Sequence, residues 1–339
     1  MDPLSQGTVG AAFAQSTANK NNIFKIGAIG FLAGLVPDLD VLIQSSTDPI
    51  LFLEYHRQFT HSLFFIPFGS LIIALLVFPL VRSSMNLKTV YLASFLGYAT
   101  HGLLDACTSY GTQLFWPFSN ERVTWNNISI VDPLFTVPIL IFVGIAIKTR
   151  KRIFSFFAIG WITFYLSLGF IQYERALSAA IELANSRGHN AERLTLKPSF
   201  GNIILWKSIY QHEETFYVDA IRTVESSSWC SGESIRIFDY QYHLPNLDKE
   251  SQQKRDIERF RWFSQDYLGF NEDLNLVTDI RYSMIPNQIA PMWGLVIDDN
   301  RGLEEHAIWW TSRSLDQSQL DLFKDMLKGK KCGNSSLLK

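Results

Sequence analysis

The uneven distribution of apolar residues limits what this chain can fold into more than any other feature. Long apolar runs fall almost entirely before residue 172, whereas most charged residues follow it. A helix needs roughly 20 apolar residues to cross a bilayer. Four windows reach that length: 62–81, 89–107, 129–147 and 153–171. The sequence therefore predicts a membrane-embedded first half and an extramembrane second half.

Two further apolar segments precede these windows. Residues 4–18 are rich in Gly and Ala, and residues 23–43 are apolar up to Val36 but end in two carboxylates. Because small residues let helices approach closely in lipid, we expect a tightly packed helical hairpin here. The predicted fold is a membrane all-α bundle of about five to six helices (1–171), followed by a small α+β domain (172–339).

The second half carries the patterns of a mixed domain. Residues 172–188 predict a helix that ends at a glycine. Residues 193–225 alternate apolar and polar side chains as strands do, and a polar helix is expected around 249–267. Two later stretches, LNLVTDIRYSMI and MWGLVIDD, are further strand candidates. The four histidines of this half lack metal-ligand spacing, so we assign them no catalytic role.

Charge and cysteine content exclude some classes of protein. The net charge of -2 gives no reason to expect a nucleic-acid partner. The three cysteines show no CxxC spacing and predict no disulfide framework. A single bridge between Cys230 and Cys332 stays an open alternative.

Basic residues indicate how the first half crosses the membrane. If six segments alternate in direction, the turns on one side hold eight basic residues: Lys20, Lys25, Arg82, Lys88, Lys148, Arg150, Lys151 and Arg152. The short loops on the other side hold two, Arg57 and Arg122. Cytoplasmic loops are the ones enriched in Lys and Arg. We therefore expect a multi-pass protein of the cell (inner) membrane with an extracytoplasmic C-terminal domain.

This topology collects polar groups at the outer ends of the helices. They are Asp2, Gln6, Asp38, Asp40, His56, His61, His101, Asp105 and Asp132. Ionisable groups near lipid are costly and normally face a bundle interior or a water-filled cavity. Their convergence at one end of the bundle predicts a functional site there.

Two pairs of residues suggest metal binding. His101 and Asp105 are spaced i, i+4 and share one helix face, so they can bind one cation or simply hydrogen-bond each other. His56 and His61 are five residues apart, about 140° on an ideal helix, so one precedes the helix. Thr60 is a candidate N-cap that would place His61 in the first turn, where the dipole favours the neutral, metal-binding imidazole.

Each of the other site candidates has two interpretations. Asp38 and Asp40 in GLVPDLD are either solvated carboxylates or close-set oxygen donors for a cation, with Asp38 the better candidate. Arg57 is either a headgroup anchor or a phosphate-binding fork. The aromatic loop 107–119 anchors to the membrane interface or walls a pocket for an amphipathic substrate. Asp132 complements a helix dipole or takes part in the site.

Five motifs in order carry a resemblance: MDPLSQGTVGAA, GLVPDLD, HRQFTHS, THGLLDACTSYGTQLFWPFS and IVDPLFTVP. Over roughly residues 1–170 the chain resembles the YdjM-type family of membrane-bound, metal-dependent hydrolases. The motif order is also similar to that of zinc-dependent phospholipases C and single-strand nucleases, all-α enzymes with multi-zinc sites. That similarity implies Asp38, His61, His101 and Asp105 as ligands, with His56 close by. Many relatives have histidine where Gln6 stands, so one or two ions are expected.

These observations predict an integral membrane metal-dependent hydrolase that acts on a phosphoester of a lipid or lipid-linked substrate. The candidate metal ligands are Asp38, Asp40, His56, His61, His101 and Asp105. The candidate catalytic residues are Asp38, Arg57 and His101. Zinc is the first choice of cofactor, with manganese or magnesium as alternatives. The competing hypotheses are a non-catalytic membrane metal-binding or scaffold protein with an outward sensor domain, and a hydrogen-bonded cluster that caps helix ends without metal.

Overall fold

The computed structural model describes residues 1–224, 226–330 and 333–334, and for the last two residues the backbone alone. The chain divides into two compact units. The N-terminal unit comprises Met1–Ile43, Tyr55–Ile171 and Phe200–Asn202, and the C-terminal unit comprises Gln44–Glu54, Gln172–Ser199 and Ile203–Lys339. The bridge considered between Cys230 and Cys332 lies outside the described residues.

The first half of the chain is helical, and each of the four long apolar windows contains a helix. The α-helices are α1 (Pro3–Gln15), α2 (Ile23–Leu35), α3 (Leu51–Tyr55), α4 (Ile66–Val81), α5 (Leu87–Ala106), α6 (Pro133–Thr149) and α7 (Ile153–Ser186). Two 3-10 helices, Val36–Leu42 and Phe59–His61, follow α2 and α3. The second of them contains Thr60 and His61, and the N-cap of α4 is Phe65, so Thr60 is not the N-cap of that helix.

Helices α1 and α2 form the predicted close-packed hairpin. Asp2 caps α1 by accepting a hydrogen bond from the Ser5 amide, and Pro3 occupies the first helical position. A Cβ atom on Gly10 would overlap the carbonyl oxygen of Gly30 in α2. The absence of a side chain at Gly10 therefore permits the backbone contact between the two helices.

The predicted number of membrane spans is wrong. Among the described residues, one helix, α7, is long and apolar enough to cross a membrane, or two spans exist if Leu51–His61 and Ile66–Val81, bent by 83°, count as one. Helices α1 and α2 have 13 residues each and reach about 20 Å at 1.5 Å per residue, short of a core of about 30 Å. Helix α5 has 20 residues but carries His101 and Asp105.

Helix α7 also includes most of the residues of the helix predicted separately at 172–188. It runs without a break for 34 residues, so the apolar window 153–171 and the polar segment after it are one element. Gly188 follows its end with a φ of +73°, a conformation that glycine adopts without strain. The predicted boundary between these two segments lies inside a helix.

The C-terminal unit contains two antiparallel sheets. The strands of the first are β1 (Glu192–Pro198), β2 (Leu205–His212), β3 (Thr215–Val224), β4 (Ser226–Cys230), β5 (Ser234–Arg236) and β10 (Gly333–Asn334), in the order β1-β2-β3-β4-β10 with β5 paired to β3. The second sheet, in sequence order, consists of β6 (Leu268–Asn271), β7 (Leu276–Asp279), β8 (Trp293–Val296) and β9 (Ile308–Thr311). The described part of the chain thus confirms the predicted C-terminal sheet domain.

Three helices accompany these sheets: α8 (Tyr240–His243), α9 (Gln252–Phe263) and α10 (Gln317–Leu327). Helix α9 is the predicted polar helix, capped by Ser251, and it buries one face through Ile257, Phe260 and Phe263. Between the strands, Ile209, Phe216 and Val218 pack against Ile280 and neighbouring apolar residues to form a core.

Candidate metal centre

Helix α5 supplies two buried polar side chains at its C-terminal end. His101 and Asp105 are both fully buried and lie one turn apart. Gly102 stands where the backbone of His61 passes, and a Cβ atom there would overlap the His61 carbonyl oxygen. The glycine thus lets the 3-10 helix that carries His61 lie directly against α5.

Four residues from three segments meet at this point: Asp38, His61, His101 and Asp105. His61 Nε2 lies 2.9 Å from His101 Nε2 and 3.4 Å from Asp38 Oδ1. Asp105 Oδ2 lies 3.2 Å from His61 Nε2 and 3.5 Å from His101 Nε2. His101 Nε2 is 3.3 Å from Asp38 Oδ1. Four of the six candidate metal ligands therefore share one centre.

These separations match the edges of a metal coordination tetrahedron. Zinc bonds to nitrogen and carboxylate oxygen are about 2.0–2.1 Å long, so the edges of an ideal tetrahedron are about 3.3–3.4 Å. The five distances between ligand atoms span 2.9–3.5 Å around that length. Two imidazoles and two carboxylates are also a donor set suited to zinc.

Hydrogen bonds determine which nitrogen of each imidazole faces the centre. His101 Nδ1 lies 2.6 Å from the Gly34 carbonyl oxygen, which can only accept, so this nitrogen carries the proton. His61 Nδ1 lies 3.2 Å from the carboxylate of Asp40. Carboxylates and carbonyls behind metal-binding histidines fix the ring in this manner. With both Nδ1 atoms protonated, the two Nε2 atoms face each other at 2.9 Å, a distance that requires a proton or a cation between them.

Asp105 connects the centre to the rest of the N-terminal unit. Its Oδ1 accepts a hydrogen bond of 2.9 Å from Gln6 Nε2 and also contacts the Met1 nitrogen. Its Oδ2 is buried and accepts no hydrogen bond from the described residues, although Arg57 Nε lies 3.1 Å away. The Arg57 guanidinium supplies one positive charge beside this oxygen, and a metal ion would add the directional bond that it lacks.

Asp38 also belongs to a second group, with Asp40 and His56. Both oxygens of Asp40 already accept hydrogen bonds: from His56 Nδ1 at 2.7 Å, and from the Arg57 amide and Thr60 Oγ1 at 2.9 and 2.8 Å. Burial alone would raise the pKa of Asp40, but hydrogen bonds from the two histidines lower it below its ordinary value. Among the described residues, Oδ1 of Asp40 accepts only the His56 hydrogen bond, so it keeps one lone pair for a cation shared with Asp38 and His56.

Two arginines lie beside the centre, one of which the sequence did not single out. Arg57 is 4.9 Å and Arg122 5.6 Å from the ring centre of Tyr110. Arg57 adopts a φ of +65°, unusual for a side-chain-bearing residue, and its Nη1 donates to Thr108. Arg122 Nη2 donates to the Gly111 carbonyl oxygen. These are the two basic residues of the predicted outer loops, a signal that could have identified Arg122.

Two other polar residues of the predicted cluster have local structural contacts instead. Asp132 caps α6 and accepts a hydrogen bond of 2.8 Å from Tyr165 Oη. Asp2 caps α1. The helix-terminus reading of Asp132 therefore accounts for its contacts.

Comparison with known proteins identifies the first half of the chain. A family model described as YdjM inner membrane protein matches residues 1–176, just over half of the 339 residues. The uncharacterized protein YfhP of Bacillus subtilis (strain 168) is 30% identical over 110 residues, or 32% of this chain and 33% of YfhP. The match thus spans about a third of that relative's length. No solved structure matches the chain.

Proposed function

Because this chain belongs to the family of YdjM inner membrane proteins, we propose that it is a metal-dependent hydrolase of the cell membrane. The proposed reaction is hydrolysis of a phosphoester in a lipid or lipid-linked substrate. The four basic residues at 148–152, directly before α7, support placing the residues that follow this helix outside the cytoplasm.

The facing Nε2 atoms of His61 and His101 carry this proposal. They lie 2.9 Å apart while each ring directs its Nδ1 proton to an acceptor on the other side. Two lone pairs at that distance repel each other unless a cation or proton lies between them. The oxygens of Asp38 and Asp105 complete the same tetrahedron, which favours a divalent cation over a proton.

A divalent ion bound here, zinc first and manganese or magnesium next, would supply Lewis acidity that acidifies water and polarises a phosphoryl oxygen. His61, His101 and Asp105 would hold it from the buried side. The side chain of Asp38 is 26% exposed, so substrate and water have access from its direction. In this proposal Arg57 and Arg122 hold the phosphate, because a planar guanidinium suits that group.

A lipid substrate is favoured by the aromatic loop beside the centre. The loop that carries Tyr110 also contains Phe115 and Phe118, which are 50% and 81% exposed. Aromatic residues at such exposure are typical of the membrane interface. A phosphoester at the headgroup plane would therefore reach the centre beside apolar side chains that suit its acyl chains.

Metal analysis and turnover of the detergent-purified full chain test the proposal. We expect one or two equivalents of metal, strongly reduced in His61→Ala and Asp105→Ala but not in His243→Ala, a control in α8. Headgroup or phosphate release from phospholipid micelles should need added zinc or manganese. Absence of metal from the purified wild-type protein, or full turnover by the His61→Ala variant, would contradict the proposed metal centre.

The number of protein ligands favours one other candidate, a structural metal centre in a non-catalytic protein. Structural zinc sites have four protein ligands, whereas catalytic sites keep one position open. Substituting the exposed ligand separates the two. In a hydrolase, Asp38→Asn should keep most of the metal and lose turnover. In a structural centre, the variant should lose thermal stability in proportion to the lost metal, and neither protein should hydrolyse phosphoesters.

A further inference from the structure

Two buried lysines lie side by side in the C-terminal unit, far along the chain from the metal centre. Lys197 in β1 pairs directly with Lys207 in β2, so both side chains point to the same face of the sheet. They are only 6% and 4% exposed. Lysine is almost never buried to this extent unless it is paired or has a function.

Lys207 contacts neutral acceptors only. Its Nζ lies 2.7 Å from Ser283 Oγ and 2.7 Å from the Gln288 carbonyl oxygen. In the described part of the chain no carboxylate forms an ion pair with it. The nearby charged residues are Lys197, Glu233, Asp279 and Arg281. Asp279 is paired with Arg281 at 2.7 Å, and Glu233 accepts from the Ile289 amide.

This environment favours a neutral amine. Burial lowers the pKa of Lys207 to about 7, despite the opposing effect of Glu233 and Asp279. The pKa of Lys197 also lies well below its ordinary value, first because of burial and then because of Arg281. A neutral lysine amine at neutral pH can accept a proton from a hydroxyl group that it contacts.

Ser283 is the hydroxyl group in contact with that amine. Its residue is half-buried, and its Oγ accepts from Lys207 Nζ while donating its own proton to the Ile285 carbonyl oxygen at 2.7 Å. Once the amine is neutral, rotation of the hydroxyl directs this proton to Nζ instead. Within the described residues its backbone N–H donates to no acceptor, which leaves this group available to a developing oxyanion. The serine, the neutral amine and a free amide are the components of acyl-transfer chemistry.

A cleft of about 430 Å³ lies beside the loop that carries Ser283, although Ser283 and Lys207 are not among its lining residues. Met284, next to Ser283 in the chain, and Gln288, whose carbonyl holds Lys207, both line it. Its other lining residues include Pro291, Met292 and Trp310. Polar residues, Ser312, Ser314, Asp316 and Gln319, line part of the remainder, so the mixed lining with its one carboxylate suits an uncharged acyl group better than an anionic one.

We propose that Ser283 and Lys207 form a second hydrolytic site, a Ser–Lys dyad that cleaves esters with an uncharged acyl group. Ser283 Oγ attacks the carbonyl carbon while its proton passes to Lys207 Nζ. The ester C–O bond then breaks, and Nζ returns the proton to the departing alkoxide. Water next attacks the acyl-serine, gives one proton to Nζ, and releases the acid as Ser283 regains its proton.

A fluorophosphonate probe tests the dyad on the full chain in detergent at pH 8. We expect a covalent adduct on Ser283, located by mass spectrometry, and hydrolysis of p-nitrophenyl butyrate. Both should fall at least tenfold in Ser283→Ala and Lys207→Met and persist in Ser178→Ala, an exposed serine of α7 outside the cleft. A chelator should leave both unchanged, which separates this site from the metal centre.

Two outcomes would overturn the proposal. One is the absence of an adduct on Ser283 of the wild-type chain under saturating probe, a result that needs no variant to fold. The other is undiminished labelling of a Lys207→Met variant whose thermal unfolding matches that of wild type, because the lysine would then only support the loop. Lys207→Arg adds a check, since it keeps hydrogen-bond donors but cannot act as a base.

Discussion

Asp40→Asn is the most informative single change at the metal centre. The carboxylate accepts four hydrogen bonds, from His56, the Arg57 amide, Thr60 and His61. Asparagine has the same shape but places an NH₂ donor where one carboxylate oxygen accepts. Because Asp40 lies behind His61 and not between the ligand atoms, the substitution should weaken the metal site without removing a ligand.

The expected magnitude follows from that position. Loss of a group behind a metal-binding histidine typically weakens metal affinity 10- to 100-fold. At about 1.4 kcal/mol for each factor of ten, this is about 1.4–2.8 kcal/mol of binding free energy. Replacing a ligand, as in Asp105→Asn, should reduce the metal-binding free energy by more than about 2.8 kcal/mol. Competition with a coloured chelator, in detergent and at fixed pH, measures all of these affinities.

Asp132→Asn is the matched control. Asp132 is also a buried carboxylate in the same unit, but it caps α6 and lies outside the cluster. Its asparagine variant should keep wild-type metal affinity. Unchanged affinity in Asp40→Asn would refute the reasoning, and a loss as large as that of Asp105→Asn would make Asp40 a direct ligand.

Four other outcomes are expected. Gly102→Ala should lose metal and about 1–3 kcal/mol of stability in thermal unfolding, because its methyl group overlaps the His61 carbonyl oxygen. Arg57→Lys should lower phosphoester turnover about 10- to 100-fold with metal content unchanged, as loss of charge-assisted hydrogen bonds predicts. Fluorophosphonate labelling of Ser283 should rise with pH, half-maximal near pH 7, because only neutral Lys207 accepts the proton. Chelation should lower the unfolding temperature, and metal at about 100 times its Kd should restore about 2.7 kcal/mol.

Much of the candidate centre could be predicted from the residues themselves. His101 and Asp105 share a helix face by spacing alone. The cost of exposing ionisable groups to lipid directs such groups toward the interior of a helical bundle. Gly10 and its small neighbours indicated the close hairpin. Such features depend on local periodicity and on the cost of burying charge, both of which a single sequence records.

Other features depend on contacts that sequence spacing does not encode. Thr60 looked like a helix cap, but its hydroxyl donates to Asp40, 20 residues earlier in the chain. Arg122 lies in an irregular loop, where no periodicity assigns a direction to a side chain. The number of spans was overestimated for three reasons: windows 62–81 and 129–147 run beyond α4 and α6, helices α1 and α2 are short, and α5 carries polar residues. Lys207 sits in an alternating strand, and only the loop packed over it shows that its face is buried.

The centre also joins parts of the chain that are distant in sequence. Its contacts link residues separated by 40, 67 and 99 positions: His61 with His101, Gly34 with His101, and Gln6 with Asp105. Contacts of high sequence separation form late in folding, because each requires closure of a long loop. Metal retention would consequently report whether α1, α2 and α5 have assembled, and a chain arrested before the first helix docks would bind the ion poorly even with every ligand synthesised.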